Sequence, residues 1–182
     1  VWQLKWELED LEFRFLEPQT YQDIARLVDE RRVDRELYIE QVLTRLQAAL
    51  HNERLDVEVQ GRPKHIYSIY KKMQQKQLAF AELYDVRALR VLTPNVKDCY
   101  TALGVVHNLC QPIPGEFDDY IAQPKGNNYR SLHTAVIGPE GHALEIQIRT
   151  HDMHRESEFG IAAHWRYKEG GRGDRKYDEK IA

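Results

Sequence analysis

The sequence predicts an α/β (α+β) domain, in which a β-sheet is flanked by helices and preceded by an N-terminal helical segment. Two kinds of pattern predict this class. Apolar residues recur at helical spacing in four stretches, 2–50, 61–73, 96–110 and 154–167. Strand-like residues, most of them alternating between apolar and polar, occupy 55–60, 84–92, 131–137 and 143–150. Helices and strands therefore interleave along the chain.

The composition limits the possible functions. The chain has 182 residues, 42% apolar and 30% charged, which fits one soluble globular domain with a real core. No apolar run is long enough to span a bilayer, so we expect no membrane association. The net charge of −3 argues against general nucleic-acid binding, which normally needs a basic excess. Any anion site must therefore be local.

The two cysteines, Cys99 and Cys110, lie eleven residues apart in a helical pattern without a CxxC motif. We expect buried free thiols rather than a disulfide or a zinc site, and hence a reducing cytoplasm. The chain begins at Val1 without an initiator methionine or a signal peptide, which is typical of an excised fragment.

The N-terminal third predicts consecutive helices. The first covers 2–16 and stops at Pro18, and its exposed aromatic residues suggest packing against an upstream domain. Thr20 and Asp23 resemble a capping box, from which a second helical pattern runs to Leu50 with a break near Val33.

Residues 55–60 predict a strand that leads through a Gly-containing turn into a helix over 61–73. On that helix Lys64, Ser68 and Lys72 form one polar stripe, and Arg62 adds a cation at the helix entrance. Ile66, Ile69 and Met73 form the opposite face, which we expect to pack on the sheet. The free amides of a helix N-terminus together with cations suit a polyphosphate, although the GxxxxGK[ST] P-loop pattern is absent. An ordinary amphipathic helix with a solvated basic face has the same spacing.

The second half predicts a β-rich segment over 84–92, a packing helix over 96–110 and a long irregular loop over 111–130. Two strands, 131–137 and 143–150, follow as a hairpin around GPEG. Alternation in the last strand places Glu145, Gln147 and Arg149 on one face. The packing helix is expected to bury Val96, Tyr100, Leu103, Val106 and Leu109.

These residues could support phosphoryl-type transfer, which needs a metal anchor, cations for the phosphates and a group that positions or deprotonates a hydroxyl. Asp85, the two stripe lysines and Glu145 could fill these roles. Alternatively, Asp85 pairs with Arg87 or Arg90, and Glu145 makes a cross-strand ion pair. A metal phosphohydrolase centred on His151-Asp152 and a His151–His154 zinc site both lack further ligands at suitable spacing.

Five sequence blocks occur in a fixed order: GRPKHIYSIYKKM, YDVRALRV, EFDDYIAQPKGNNYRSLHT, LEIQIRT and FGIAAHWRYKEG. Together they resemble the synthetase domain of the RelA/SpoT family of (p)ppGpp synthetases, over about residues 1–171. The resemblance implies a nucleotidyltransferase-like mixed β-sheet flanked by helices. It also implies transfer of pyrophosphate from ATP to the 3′-hydroxyl of GTP or GDP, which leaves AMP.

The resemblance also implies roles for individual residues. Arg62 and Arg90 would sandwich the adenine of ATP, and Lys64, Ser68 and Lys72 would bind its phosphates. Asp85 would coordinate Mg²⁺, and Glu145 would either assist the metal or act as the base. The GTP or GDP acceptor would be stacked on Tyr129 and lined by Lys125, Asn127, His133 and Gln147.

The block EFDD resembles the acidic version found in synthetase-only members, which implies a RelA-type enzyme. Asn128 and Arg130 depart from the usual Gly and Gln; Asn tolerates left-handed geometry, whereas Arg130 leaves the choice between GTP and GDP open. The implied organisation is a helical segment (1–54), a synthetase domain (55–169) and a flexible linker (170–182). Ribosomes and uncharged tRNA would be contacted through downstream domains that this sequence lacks.

Two other function classes remain open. An RNA-binding or regulatory module would use the basic stripe on nucleic acid without needing Asp85 or Glu145. A catalytically silent fragment would bind nucleotides without turnover.

The acidic block predicts a strong requirement for Mg²⁺. Glu116, Asp118 and Asp119 close to a polyphosphate would repel it unless a cation intervenes. We expect chelation by EDTA to abolish product formation and added Mg²⁺ to restore it. Turnover that persists without Mg²⁺ would contradict the prediction.

Overall fold

The computed structural model describes residues 2–30, 32–62, 64–80, 83 and 87–158. The predicted metal ligand Asp85 lies outside these residues, as do most of the helix predicted over 154–167 and the predicted linker over 170–182. Among the described residues, no helix is both long and apolar enough to cross a lipid bilayer.

Five strands form one mixed sheet in the order β1-β2-β5-β4-β3. Their bounds are Glu58–Gly61 (β1), Ala88–Thr93 (β2), Gln111–Asp119 (β3), Leu132–Ile137 (β4) and Ala143–Thr150 (β5). β2 and β5 pair in parallel, and the other neighbours are antiparallel. The mixed sheet flanked by helices is therefore confirmed, as is the hairpin of β4 and β5.

Five α-helices accompany the sheet in the described part of the chain, and residues 151–158 are also helical. The five are Trp2–Leu16 (α1), Pro18–Glu30 (α2), Arg32–Asn52 (α3), Ile66–Lys76 (α4) and Val96–Leu109 (α5). α2 ends at Glu30 and α3 begins at Arg32, both within three residues of the predicted break near Val33. Thr20 was wrongly expected to cap a helix, because α2 already begins at Pro18, a residue suited to a first helical turn.

The sheet has one apolar face and one polar face. α3 and α5 cover the apolar face, and their side chains pack with those of all the central strands in one cluster. Leu89 and Val91 in β2, and Ile146 and Ile148 in β5, point into this core. Because side chains alternate along a strand, Arg90, Glu145, Gln147 and Arg149 are placed on the opposite face. The sheet therefore carries its charged residues on the face that the main core does not use.

The prediction of a helix over 61–73 is partly wrong. Gly61 is the last residue of β1, His65 is the residue before the helix, and α4 begins at Ile66. Lys64 therefore lies in the connection rather than on a helical stripe. The apolar face of α4, expected to rest on the sheet, packs instead with α1 and α2 in a second cluster centred on Phe13, Ile24 and Ile69.

The loop predicted over 111–130 is also partly wrong, because residues 111–119 form the edge strand β3. Proline is compatible with an edge strand, where its missing N–H faces no partner. The pairing with β4 shifts register between Pro112 and Phe117, around Pro114 and a left-handed Gly115. A bulged edge strand of this kind has the sequence pattern of a loop.

α5 is confirmed, but its buried face differs from the prediction. Cys99, Ala102 and Val106 are buried, whereas Val96, Tyr100 and Leu109 are exposed. Cys99 is fully buried and Cys110 half-buried, and both are free thiols as predicted.

Two phenylalanines on α1 test how this helix is attached. Phe13 is 4% exposed and stacks on Tyr70 with 4.5 Å between ring centroids, whereas Phe15 is 85% exposed. We expect Phe13→Ala to lower the free energy of unfolding by about 3–5 kcal/mol, and Phe15→Ala to change it by less than about 0.5 kcal/mol. Urea unfolding followed by circular dichroism measures both, and equal effects would contradict the packing of α1 against α4.

Candidate functional site

Three cations converge on one carboxylate, that of Glu145 in β5. Arg62 donates from Nη1 to Oε1 at 2.9 Å, and Lys64 donates from Nζ to Oε2 at 2.8 Å. The Nζ of Lys72 lies 3.5 Å from the same Oε2. The Glu145 side chain is only 14% exposed. These four groups form a cationic cluster, because three positive charges meet one negative charge.

The start of β2 brings this cluster together from distant parts of the sequence. The amide of Arg62 donates to the carbonyl of Ala88 at 2.9 Å, which extends the pairing of β1 with β2. The amide of Glu145 donates to the carbonyl of Arg87 at 3.0 Å, which extends the pairing of β2 with β5. Residues 62 and 145 therefore flank the same end of β2, and α4 adds Lys72 from above the sheet edge.

The charges in the cluster are strongly coupled. Burial alone would raise the pKa of Glu145, but the neighbouring Lys64, Arg62 and Lys72 outweigh it and hold this pKa at about 2. Burial lowers the pKa of Lys64, although Glu145 opposes this shift. Burial, followed by the charge of Lys64, also lowers the pKa of Lys72. The carboxylate is therefore ionised at neutral pH. An added anion would stabilise the charged forms of the two lysines.

A cavity of about 200 Å³ lies beside the cationic cluster on the polar face of the sheet. It is lined by Trp6, Arg62, Arg90, Lys125, Asn127, Tyr129, His133, Gln147, Arg149, Ser157 and Glu158. The structure thus brings together both predicted adenine-binding arginines and all five residues predicted for the acceptor.

Gln147 organises the floor of this cavity. Its Oε1 accepts from Arg90 Nε at 2.8 Å, which fixes the orientation of the amide. Its Nε2 then points to the Tyr129 hydroxyl, with which it makes a short contact, and to His133 Nε2 at 3.2 Å. His133 Nε2 must accept in this network, so its proton is on Nδ1. Burial, reinforced by Arg62, Lys125 and Arg149 against Glu145, lowers the pKa of His133 to about 4.

Aromatic and cationic groups surround the predicted stacking residue, Tyr129. Lys125 Nζ lies 4.2 Å from the ring centroid of Tyr120 and 5.5 Å from that of Tyr129. Asn127 Oδ1 accepts from the Tyr129 amide at 3.1 Å, and Asn128 adopts the left-handed φ of 60° that its residue type tolerates. Arg130 Nη2 donates to Glu156 Oε2 at 2.8 Å, towards the helical residues 151–158.

Sequence reasoning assigned no site role to Arg149, which is 2% exposed and lines the cavity. Its Nη2 contacts His154 Nδ1 at 2.6 Å, and no hydrogen-bond partner of its Nε is found among the described residues. Burial and the charges of Arg149 and Arg62 lower the pKa of the neighbouring Arg90 to about 10. The position of Arg149 on the same face as Glu145 and Gln147 was the signal that could have identified it.

The three acids of the EFDD block lie on β3 rather than in a loop. Glu116 forms an ion pair with Lys76 at 3.0 Å. Asp119 accepts from the Tyr100 hydroxyl at 2.8 Å and from the amides of Ile121 and Ala122. Asp118 is opposite His133 in the register of β3 and β4. Asp119 thus holds the turn after β3.

Ser68 and Lys72 line a second, smaller cavity of about 60 Å³, together with Trp6, Arg62, Lys64, His65, Ile69 and Leu83. Asp10 of α1 accepts from the amides of Tyr67 at 2.7 Å and Ile66 at 3.3 Å. The N-terminus of α4, predicted to be available to a polyphosphate, is therefore occupied by a side chain. Trp6 and Asp10 were both missed, because α1 was expected to face an upstream domain.

Among the described residues, no group of three or more His, Cys, Asp and Glu side chains could hold a metal ion by itself. Mg²⁺ commonly takes only one or two protein carboxylates and completes its shell with water and substrate phosphates. The ionised Glu145 carboxylate suits such a site, and the arrangement therefore fits a metal that arrives with a polyphosphate.

Two solved structures with a similar fold are an alarmone synthetase and a GTP pyrophosphokinase family protein. The small alarmone synthetase 1 of Bacillus subtilis, bound to its product pppGpp, superimposes with a TM-score of 0.60 and 25% identity over 86% of both chains. A GTP pyrophosphokinase family protein from Streptococcus pneumoniae gives 0.58 and 26% identity over 83% of this chain and 82% of that one. The mixed sheet with its flanking helices thus has the alarmone synthetase fold.

Residues 61–172, more than half of the chain, match the model for the region found in RelA / SpoT proteins. The chain belongs to the RelA/SpoT family, as its sequence blocks predicted. Similar relatives are the GTP pyrophosphokinases of Photobacterium angustum, 56% identical over 184 residues, and Haemophilus influenzae, 55% identical over 183 residues. Each alignment covers all of this chain and 25% of the relative, so the chain spans about a quarter of their length.

The pKa of His133 predicts an acid-sensitive fold. The folded value of about 4 lies below the ordinary value of 6.5, so the unfolded chain binds more protons between these pH values. Stability should therefore fall as pH drops through this window, by up to about 1.4 kcal/mol per pH unit from this residue. Urea unfolding at pH 7, 6 and 5 measures the slope, and a slope unchanged in His133→Gln would contradict this origin.

Proposed function

We propose that this chain carries the synthetase activity of a (p)ppGpp synthetase. It transfers pyrophosphate from ATP to the 3′-hydroxyl of GTP or GDP, giving pppGpp or ppGpp and AMP. The observation that carries the proposal is the convergence of Arg62, Lys64 and Lys72 on the buried Glu145, beside the cavity around Tyr129. One site supplies cations for a polyphosphate, and the adjacent one supplies a ring and polar groups for a purine.

The donor nucleotide would bind at the cationic cluster. Lys64 and Lys72 would exchange part of their contact with Glu145 for the phosphates of ATP, with Ser68 as a further hydrogen-bonding group. Arg62 and Arg90 would hold the adenine, since planar guanidinium groups stack well on aromatic rings. The positive excess of the cluster supports this assignment, because a tetravalent anion would neutralise it.

The acceptor nucleotide would bind in the larger cavity. Tyr129 would stack on guanine, while Lys125, Asn127, His133 and Gln147 line the pocket. The neutral state of His133 at pH 7 leaves its ring able to both donate and accept hydrogen bonds, as recognition of a purine edge requires.

Glu145 would act with Asp85 as a ligand of Mg²⁺, rather than as the base that takes the proton of the 3′-hydroxyl. A carboxylate with a pKa of about 2 is a weak proton acceptor at neutral pH, but it is a good ligand for a hard cation. When bound, Mg²⁺ would neutralise developing charge on the transferred phosphates. Lys64 and Arg62 would hold Glu145 in place until the metal and ATP arrive.

We further propose that the protein is of the RelA, synthetase-only type, because its EFDD block is acidic. The proposed domain boundaries are 1–54, 55–169 and 170–182, and the cytoplasm is the proposed location. Contacts with the ribosome and uncharged tRNA would belong to other regions of a longer protein. Because α3 contributes four buried side chains to the core of the sheet, an active fragment would need this helix.

The central prediction is that the unaltered chain forms AMP and ppGpp from ATP, GDP and Mg²⁺. Glu145→Gln keeps the shape of the side chain but removes its charge, so we expect at least about a 100-fold loss of activity. Asp85→Ala should have a similar effect. Thin-layer chromatography of labelled nucleotides measures all three proteins, with circular dichroism to confirm folding. No product from the unaltered chain, or equal product from all three, would contradict the proposal.

Two adjacent lysines give a matched test of the donor site. Lys72 lies 3.5 Å from Glu145, whereas Lys71 is exposed and its Nζ lies 5.5 Å from the ring centroid of Tyr67. We expect Lys72→Ala to lower kcat/KM for ATP by at least about 100-fold, and Lys71→Ala to change it by less than about twofold. A similar loss in both variants would show that general charge, rather than the cluster, attracts the nucleotide.

A further inference from the structure

Helix α1 places an aromatic ring between the two cavities of the site. Trp6 is half-buried and lines both the cavity of about 60 Å³ at the cationic cluster and the cavity of about 200 Å³ around Tyr129. The guanidinium carbon of Arg62 lies over the indole ring, 5.9 Å from its centroid. The ring of His65 lies 5.3 Å away on another side. The indole is therefore held by the connection that precedes α4.

Asp10, one helical turn further along α1, fixes the helix in this position. Its carboxylate accepts from the amides of Tyr67 at 2.7 Å and Ile66 at 3.3 Å, and it lies 3.5 Å from His65 Nδ1. The Asp10 side chain is 19% exposed. A carboxylate on the first amides of a helix is a stabilising arrangement. Asp10 thus attaches α1 to the start of α4, and this attachment positions Trp6.

The two cavities that Trp6 lines are smaller than the about 300–1,000 Å³ usual for small-molecule sites. A third cavity, of about 390 Å³, is lined by Arg62 and Lys64 but not by Trp6. Trp6 and Arg62 form the wall that the two cavities share. Moving the indole away would join the cavities and release Arg62 for a different aromatic partner. An adenine base is such a partner, because it too is a flat bicyclic ring.

We propose that Trp6, held by Asp10, occupies the donor-nucleotide site and must be displaced before ATP binds. The inference rests on the proposed function, since it concerns the same donor site. α1 acts as an intramolecular competitor that lowers the apparent affinity for ATP. Trp6 and Asp10 are therefore residues that set donor affinity, and they take no part in the chemical step.

The test measures binding of the α,β-methylene analogue of ATP, which keeps intact the bond that pyrophosphate transfer would break. Isothermal titration calorimetry compares the unaltered chain with Trp6→Ala, Asp10→Ala and Leu8→Ala. We expect the first two variants to bind at least about tenfold more tightly, and Leu8→Ala, whose side chain is 55% exposed, to bind like the unaltered chain. Asp10→Asn keeps one acceptor oxygen and should give an intermediate affinity.

Steady-state kinetics distinguish competition from a general structural effect. Both variants should lower KM for ATP while kcat stays within about twofold, because saturating ATP displaces the indole in every protein.

Other outcomes would overturn the inference in distinguishable ways. Weaker binding of the analogue by Trp6→Ala would show that the indole stacks on the adenine rather than competing with it. Equal affinity in all variants would remove α1 as a competitor, and in both cases the proposed function would stand. If no protein binds the analogue, the proposed function and the inference fail together, because there is no donor site to occupy.

Discussion

The arrangement of the site depends on the buried carboxylate of Glu145. Arg62, Lys64 and Lys72 come from three different parts of the chain, and like charges would separate them without the acid that they share. Because the Glu145 side chain is only 14% exposed, removing its charge would leave partly buried cations uncompensated, which costs more than losing a surface ion pair. The Glu145 carboxylate, which holds the three cations together in the free protein, would bind a metal ion once the phosphates of ATP contact Lys64 and Lys72.

The two faces of the sheet have different roles: one forms the hydrophobic core and the other carries the site residues. One face is covered by α3 and α5 and contains the fully buried leucine, isoleucine and valine side chains. The other face presents Arg90, Glu145, Gln147 and Arg149 at alternate positions of two parallel strands, so their spacing is set by the backbone. Hydrogen bonds through the Gln147 amide then fix Arg90, Tyr129 and His133 relative to one another. Such a preorganised face suits nucleotide recognition, because few side chains need to be ordered on binding.

The N-terminal helices make a second, smaller unit whose position affects the site. α1 and α2 hold α4 through an aromatic cluster around Phe13, while α4 carries Ser68 and Lys72. The same docking brings Trp6 and Asp10 to the cationic cluster. Attachment of α1 therefore has two opposing effects: it positions the lysines and it fills the space between the cavities.

The sequence by itself indicated most of the helices and strands, the shared face of Glu145 and Gln147, and a set of candidate site residues, because alternation and family motifs are local properties. It also indicated the left-handed Asn128. Only the tertiary structure decided that β3 is a strand, since an edge strand with prolines becomes regular only when β4 pairs with it. It alone decided that α4 begins after Lys64, that α1 packs on α4 and that Asp10 caps it. These contacts join residues more than fifty positions apart, and no periodicity in the sequence encodes them.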